Sequence, residues 1–327
     1  MSIRAHILGL GAFLPEKKLT NADLEKMVET SDEWIVSRTG IRERRVGAAH
    51  ETCATMGLKA AQEAIQKSGI DPKTIELVIC ATMSPDYLTP SSAALIQSEL
   101  GIEAAAYDCQ AACTGFLYAL KQAKAFIESG AYKTILIVAS EKMSAFVDFT
   151  DRNTCVLFGD GAGAAILSSE KRGLRVDDVR IGADGSLGKL IYIPAGGSKT
   201  PTTSQTLQDG QHYLKMEGRE VFKKAVRQMT QSVEESLKQV NLTHNDIAWL
   251  IPHQANLRII TAIGEALSIA PEKVFMTLEK YGNTSGSSIL IALKELIDEE
   301  VVERDDHLVL VAFGAGLTWG SSLLTKV

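Results

Sequence analysis

Residues 57–79 read GLKAAQEAIQKSGIDPKTIELVI, and residues 229–251 read MTQSVEESLKQVNLTHNDIAWLI. At a constant shift of 172 positions, Ile65 faces Leu237, Ile70 faces Leu242 and Ile75 faces Ile247. Each segment spaces its apolar residues as an amphipathic helix does. A turn residue follows, Gly69 or Asn241, and then an apolar run of strand length. A second echo comes next in the same order. ALKQAKAFIESGAYKTILIVAS (119–140) matches ALKELIDEEVVERDDHLVLVAF (292–313) at a shift of 173. Two ordered matches at nearly one offset mark duplicated α/β units, with a period far too long for a solenoid. The pattern predicts an N-terminal half, residues 1–171, and a C-terminal half, residues 172–327. Strands alternating with helices predict mostly parallel, buried sheets in each. Residues 172–218, richer in Gly, Ser, Thr and Asp, read as irregular connections and short strands. No low-complexity linker separates the halves, so they are expected to pack together.

The composition narrows the function classes. The chain has 327 residues, 45% apolar and 23% charged, with a net charge of −6. That balance gives no case for nucleic acid, and a polyanionic ligand needs a local basic patch. The five cysteines are odd in number, and only Cys109 and Cys113 are close together. A disulfide framework is therefore not expected, and a reducing, cytoplasmic setting fits better. No second Cys/His pair accompanies the C-x3-C spacing, so no metal site is expected. The apolar runs are strand-sized, and neither a signal peptide nor a membrane span is expected.

The duplication also organises the reactive residues. Cys113, in DCQAACTGF (108–116), precedes the helix pattern of the second echo. Asn283, in YGNTSGSS (281–288), precedes the matching helix in the other half. His253 follows the apolar run 247–251 at once. Strand ends and helix starts of open α/β sheets line the ligand crevice. Each residue alone has a plain structural reading. A free cysteine is usually a small core side chain, a lone histidine is usually satisfied in the core, and asparagine suits left-handed turns. A thiol at a helix N-terminus, however, faces unpaired N–H groups that favour thiolate. Cys109 is expected at a strand end in a structural role. GLGAFL (9–14) and GDGAGAAI (159–166) do not complete the dinucleotide fingerprint, and close strand packing explains them better. The run SRTGIRERR (37–45) reads either as a solvated face or, with Trp34, as an aromatic and guanidinium platform for a phosphorylated nucleotide.

Six ordered motifs carry a family resemblance across essentially the whole chain: TSDEWIVSRTGIRERR (30–45), DCQAACTGF (108–116), DRNTCVLFGDGAGA (151–164), IPHQANLRII (251–260), YGNTSGSS (281–288) and AFGAGLTWGSSL (312–323). The sequence resembles the β-ketoacyl-acyl carrier protein synthase III family, initiating condensing enzymes of fatty acid synthesis. The resemblance implies a thiolase-like fold, two duplicated βα halves packed as a layered α-β-α-β-α core. It implies decarboxylative condensation of an acyl-coenzyme A, most readily acetyl, with malonyl-carrier protein, through an acyl-cysteine. The family's catalytic set falls on Cys113, His253 and Asn283. Its backbone oxyanion donors fall on Cys113 and Ala315, where relatives have a glycine. Coenzyme A contacts fall on Trp34, Arg38, Thr39, Arg152 and Asn256, with Trp34 and Arg152 flanking the adenine. Carrier-protein contacts fall on Lys223 and Arg258. The resemblance also implies a homodimer, with Thr89 reaching the partner's acyl pocket, and no cofactor. The nearest alternative is a thiolase-fold acyltransferase with another starter or acceptor, such as a polyketide-type synthase.

Overall fold

The computed structural model describes residues 3–327 of the chain. Nine strands form one sheet. In chain order they are β1 (His6–Phe13), β2 (Leu77–Ala81), β3 (Ala105–Cys109), β4 (Thr134–Glu141), β5 (Gly161–Ser168), β6 (Leu174–Ala183), β7 (Ile247–Pro252), β8 (His307–Gly314) and β9 (Thr318–Lys326). The principal helices are α1 (Asp32–Thr39), α2 (Cys53–Ser68), α3 (Ser92–Leu100), α4 (Gly115–Glu128), α5 (Gly218–Gln239), α6 (Leu257–Ala266) and α7 (Ser288–Asp298).

The spatial order is β7-β8-β9-β6-β1-β5-β4-β2-β3. Its two ends repeat one another. β2, β4, β5 and β1 follow one another in the first half as β7, β8, β9 and β6 do in the second, with the same relative directions. Within the main sheet the two sets of strands meet at a two-residue pairing, His6 with Arg175 and Ile7 with Leu174. The counterpart of β3 is reduced to a single bridge between Leu250 and Val274.

The echoes hold at the level of single backbone angles. Gly69 ends α2 at φ 67°, and Asn241 follows α5 at φ 59°. One-turn 3-10 segments follow at Pro72–Thr74 and His244–Asp246, again 172 apart. At the shift of 173, α4 and α7 start together, as do β4 and β8.

Strand alternation sets the layers. Ile135 and Ile137 of β4 and Leu308 and Leu310 of β8 point into one core with Phe116 and Leu120 of α4 and Leu290 and Leu293 of α7. Leu136 and Val138 point the other way, onto α2 and α3. Val309, Val311 and Phe313 point outward onto α5 and α6. The result is the expected α-β-α-β-α layering, with α4 and α7 in the middle.

The expectation of mostly parallel sheets is corrected. Only three of the eight pairings in the main sheet are parallel. Each half closes with an antiparallel return strand, β5 or β9. β8 and β9 form a hairpin around Ala315–Leu317. The Gly-rich expectation for 172–218 also needs amending, since it begins with the ten-residue strand β6.

Long connections follow the first strand of each half, at 14–52 and 184–217, and another lies between β4 and β5. They carry Trp34, Arg38 and Arg152 towards the same end of the sheet as Cys113.

Candidate active site

Cys113 sits in a one-turn 3-10 segment, Ala112–Thr114, between β3 and α4. Ser285–Ser287 forms the equivalent turn before α7. Ala112 and Ser285 occupy matching positions and both are left-handed, at φ 46° and 52°. The duplicated turns face one another, and β8 ends against the first. A side chain at Gly314 would put its Cβ 2.9 Å from the Cys113 nitrogen. Only glycine lets the strand end approach this closely.

His253 follows β7, its N–H donating to the Val311 carbonyl at 2.7 Å. Its ring is 3% exposed, and Nδ1 lies 2.6 Å from Ser288 Oγ. The Gln254 N–H donates to that same oxygen at 3.3 Å. Gln254 staples the turn, accepting from the Thr277 and Leu278 N–H groups at 2.8 and 3.0 Å. Asn256 caps α6 by accepting from the Arg258 N–H at 2.9 Å and donates to the Arg38 carbonyl at 3.0 Å, tying α6 to α1. Each polar residue of HQAN therefore has a position to fix.

Asn283 is held on both sides, donating to the Leu157 carbonyl at 2.9 Å and accepting from the Gly159 N–H at 3.0 Å. Its side-chain oxygen accepts from the Ser285 N–H at 2.8 Å. That bond fixes which face of the amide carries the NH2 group.

Cys113, His253, Asn283 and Ala315 line one cleft of about 690 Å³, within the range of small-molecule sites. Trp34, Arg38, Thr39, Lys223, Asn256 and Arg258 line it too. His253 and Asn283 are buried, while Trp34 is half-buried and Arg38 exposed, so the cleft runs from a dry floor to a charged rim. Neither the Cys113 nor the Ala315 N–H is used in the turn and loop hydrogen bonds of the described residues.

Two sequence expectations change. Cys113 was expected to be favoured as thiolate. Burial instead pushes its thiol up to about 12, the Ser285 side chain pulls the other way, and the Glu141 charge adds to the rise. Loss of water is the largest of these effects. Burial alone pushes His253 down to about 3, so the ring is neutral near pH 7. The resting pair is thiol and imidazole. The basic run also divides. Arg44 is 0% exposed and donates to the Leu19 and Val156 carbonyls and to Asn21. Arg42 pairs with Glu279 at 2.8 Å. Arg38 alone of the four joins the cleft lining.

Arg152 is not in the cleft lining itself, but its guanidinium lies 4.8 Å from the Trp34 ring centroid, against 5.9 Å for Arg38. Thr39 is 3% exposed and donates to the Ile35 carbonyl, holding the end of α1. Thr89 is exposed and lies outside the cleft of its own chain. Cys109 ends β3 and accepts from Gln122 at 3.3 Å, outside the cleft. Sequence reasoning missed Ser285, Ser288 and Glu141. The shift of 173 that relates the two turns was the signal that pointed to the first.

The chain is similar to known proteins along nearly its whole length. Residues 107–185 match the family described as 3-oxoacyl-[acyl-carrier-protein (ACP)] synthase III, and residues 237–326 match its C-terminal counterpart. The chain is 52% identical, over 99% of its length and 97% of the relative's, to a β-ketoacyl-[acyl-carrier-protein] synthase III of Chlamydia caviae. It superposes with a TM-score of 0.90 on the 3-oxoacyl-[acyl-carrier-protein] synthase III of Aquifex aeolicus, 45% identical, covering 98% of this chain and 100% of that one. A priming β-ketosynthase of the R1128 polyketide pathway is 33% identical at a TM-score of 0.91, covering 99% and 97%.

Proposed function

Because the chain belongs to the 3-oxoacyl-[acyl-carrier-protein] synthase III family of condensing acyltransferases, we propose that its cleft joins an acyl-coenzyme A to malonyl-carrier protein through an acyl-Cys113 intermediate. The observation that carries the residue assignment is the meeting of Cys113, His253 and Asn283, from both halves, in one cleft, with His253 and Asn283 buried and Cys113 partly exposed.

Cys113 attacks the thioester carbonyl, and the N–H groups of Cys113 and Ala315 meet the oxyanion. Coenzyme A leaves, and malonyl-carrier protein takes its place. Loss of carbon dioxide builds negative charge on the thioester oxygen. A neutral His253 suits this step better than a cation, which would hold the malonyl carboxylate in place. Donation from the Ser288 hydroxyl to Nδ1 leaves the ring proton on Nε2, and Asn283 adds an uncharged N–H. The carbanion then attacks acyl-Cys113 and releases the β-ketoacyl product. The enolate is met by these donors, so the reading calls for no cofactor.

Trp34, Arg38 and Arg152 give the nucleotide an aromatic face and two guanidinium groups. Arg152 already lies over the indole, so an adenine entering between them displaces it. Thr39 and Asn256 hold the walls beside it. Lys223 and Arg258 at the rim suit an acidic carrier protein, with Lys223 drawn from its present pair with Glu220 at 3.2 Å. The edge strand β3 pairs on one side only, and exposed Leu88 and Tyr87 lie beside Thr89. A homodimer that covers this edge brings Thr89 to the partner's acyl pocket. No helix of the described residues is long and apolar enough to cross a membrane, and a cytoplasmic setting fits this reading.

The test is purified chain with a panel of acyl-coenzyme A donors and malonyl-carrier protein, reading carbon dioxide and product mass. Cys113→Ser is expected to show no acyl adduct by intact-protein mass spectrometry. Persistent acylation moves the nucleophile elsewhere, with Cys109 the first suspect.

A further inference from the structure

Behind the nucleophile lies a carboxylate that the mechanism above does not use. Glu141 ends β4 and is 0% exposed. Its oxygens accept from Ser84 Oγ at 2.6 Å, Ser285 Oγ at 3.1 Å, Thr82 Oγ1 at 3.2 Å and the Met83 N–H at 3.1 Å. Two of these donors are locked in that role. Ser84 Oγ accepts from the Lys142 N–H at 2.8 Å, and Thr82 Oγ1 accepts from the Ser84 N–H at 3.0 Å. Ser285 differs, because its turn packs against the turn of Cys113, both residues line the cleft, and its side chain draws the Cys113 thiol down. One hydroxyl thus stands between the thiol and a buried carboxylate.

We propose that Glu141 is the proton acceptor for the Cys113 thiol, acting through the Ser285 hydroxyl. The inference rests on Cys113 being the nucleophile. As sulfur attacks the acyl carbon, the S–H bond breaks and its proton passes to Ser285 Oγ, whose own proton passes to Glu141. Coenzyme A departs as thiolate and takes a proton from solvent. When the condensation expels Cys113 as thiolate, the same path returns the proton from Glu141. During each proton transfer the pocket carries one negative charge, on the carboxylate or on the sulfur, and in the acyl-enzyme between them both groups are neutral. That removes the repulsion between the two that otherwise opposes thiolate.

The surroundings suit the role. Burial pushes the Glu141 carboxyl up to about 7, against the pull of its four donors. A base matched to working pH is the effective one. The other titratable groups near Glu141 are thiols: Cys113, Cys80, and Cys53, which donates to Thr82 Oγ1. Asp108 lies beyond Cys80 and is engaged by the Ser92 and Ala93 N–H groups. Lys142 turns its ammonium to the Ala48 and Glu51 carbonyls. No ion pair reaches Glu141 among the described residues.

The experiment follows single-turnover acylation of Cys113 from pH 5.5 to 9.5, beside carbon dioxide release by pre-acylated enzyme. The parent is expected to gain acylation rate as Glu141 ionises near neutral pH, then level off. Glu141→Gln is expected to acylate about 10²-fold more slowly at pH 7 and to keep accelerating above pH 8.5. Carbon dioxide release by pre-acylated enzyme is expected to hold within about threefold. Ser285→Ala keeps the carboxylate and three of its donors, and is expected to give the same profile. It decides the matter alone where the glutamine variant does not fold. A neutral-pH limb that survives in Ser285→Ala, or acylation and carbon dioxide release falling by one common factor, overturns the relay. An adduct at Cys113 in the parent shows that the nucleophile stands whichever way the relay falls.

Discussion

Asn283→Asp separates the two half-reactions because of how the amide is held. The backbone is clamped by Leu157 and Gly159, and the side-chain oxygen already accepts from the Ser285 N–H. Aspartate keeps both the size and that acceptor, so the turn has reason to stay folded. The change falls on the other atom, where an NH2 donor becomes a carboxylate oxygen in a site 6% exposed. During decarboxylation that oxygen faces the substrate carboxylate and then the enolate. Loss of one oxyanion donor costs about 10²–10³ in rate, and repulsion adds to it. Acylation uses backbone donors at Cys113 and Ala315 and is expected to fall less than about tenfold. The assay takes the halves separately: adduct formation by mass spectrometry from acetyl-coenzyme A, then labelled carbon dioxide from malonyl-carrier protein with pre-acylated enzyme. Carbon dioxide release is also expected to recover in part at low pH, because a protonated carboxyl is again a donor. An equal loss in both halves makes Asn283 a turn residue that merely shapes the floor, and refutes the division of labour.

Arg152→Ala is expected to raise KM for acyl-coenzyme A more than it lowers kcat, since the contact on Trp34 is remote from the reacting carbon. Unchanged coenzyme A affinity by calorimetry refutes the nucleotide site. Thr89→Phe is expected to shorten the acyl chain accepted, with partner-subunit origin checked by mixing variant and Cys113→Ser chains. Retained long-chain activity refutes it. For His253 the folded pKa lies below the free value of 6.5, so unfolding takes up a proton. Its stability contribution is whole above about pH 6.5 and is lost towards pH 3, by up to about 1.4 kcal/mol per pH unit. Glu141, raised to about 7, works in the opposite sense between pH 7 and 4.5. The comparison is therefore urea melting of parent against His253→Gln from pH 6.5 to 4.5. Parallel curves refute the burial of a neutral ring.

The layered fold was legible because duplication repeats physical constraints as well as letters. Gly69 and Asn241 match since both must turn a helix into a strand through a left-handed residue. The apolar runs at 134–139 and 307–312 match since both strands are buried on two faces. Strand direction was not legible. A run buried on both faces reads alike whether its neighbour is parallel or antiparallel. The hairpin at Ala315–Leu317 was nonetheless signalled by two apolar runs separated by a short Gly-containing turn. Arg44 escaped because a charge run gives no hint of which member finds buried carbonyls. Ser285, Ser288 and Glu141 escaped because serine and glutamate are common surface residues. Only the fold shows their side chains turned inward.

The same duplication explains why the site is asymmetric. At the shift of 173, Cys113 corresponds to Gly286 and Glu141 to Gly314. Each half therefore offers a left-handed turn and a strand end, and these cross over. The first half's turn meets the second half's strand end at Gly314, and the second half's turn meets the first half's strand end at Glu141. A Cβ at 314 would lie 3.0 Å from Cys113 Cβ, and one at 286 would lie 3.0 Å from the Ala112 carbonyl. A side chain at 314 would thus force the strand end and the turn apart, and one at 286 would crowd the turn opposite. A sulfur on one turn needs glycine on the strand end that it faces. A carboxylate on the other strand end needs a small turn opposite, where Ser285 supplies a hydroxyl and Gly286 no side chain. One centre takes both the nucleophile and the carboxylate from the first half, and both space and the remaining polar groups from the second.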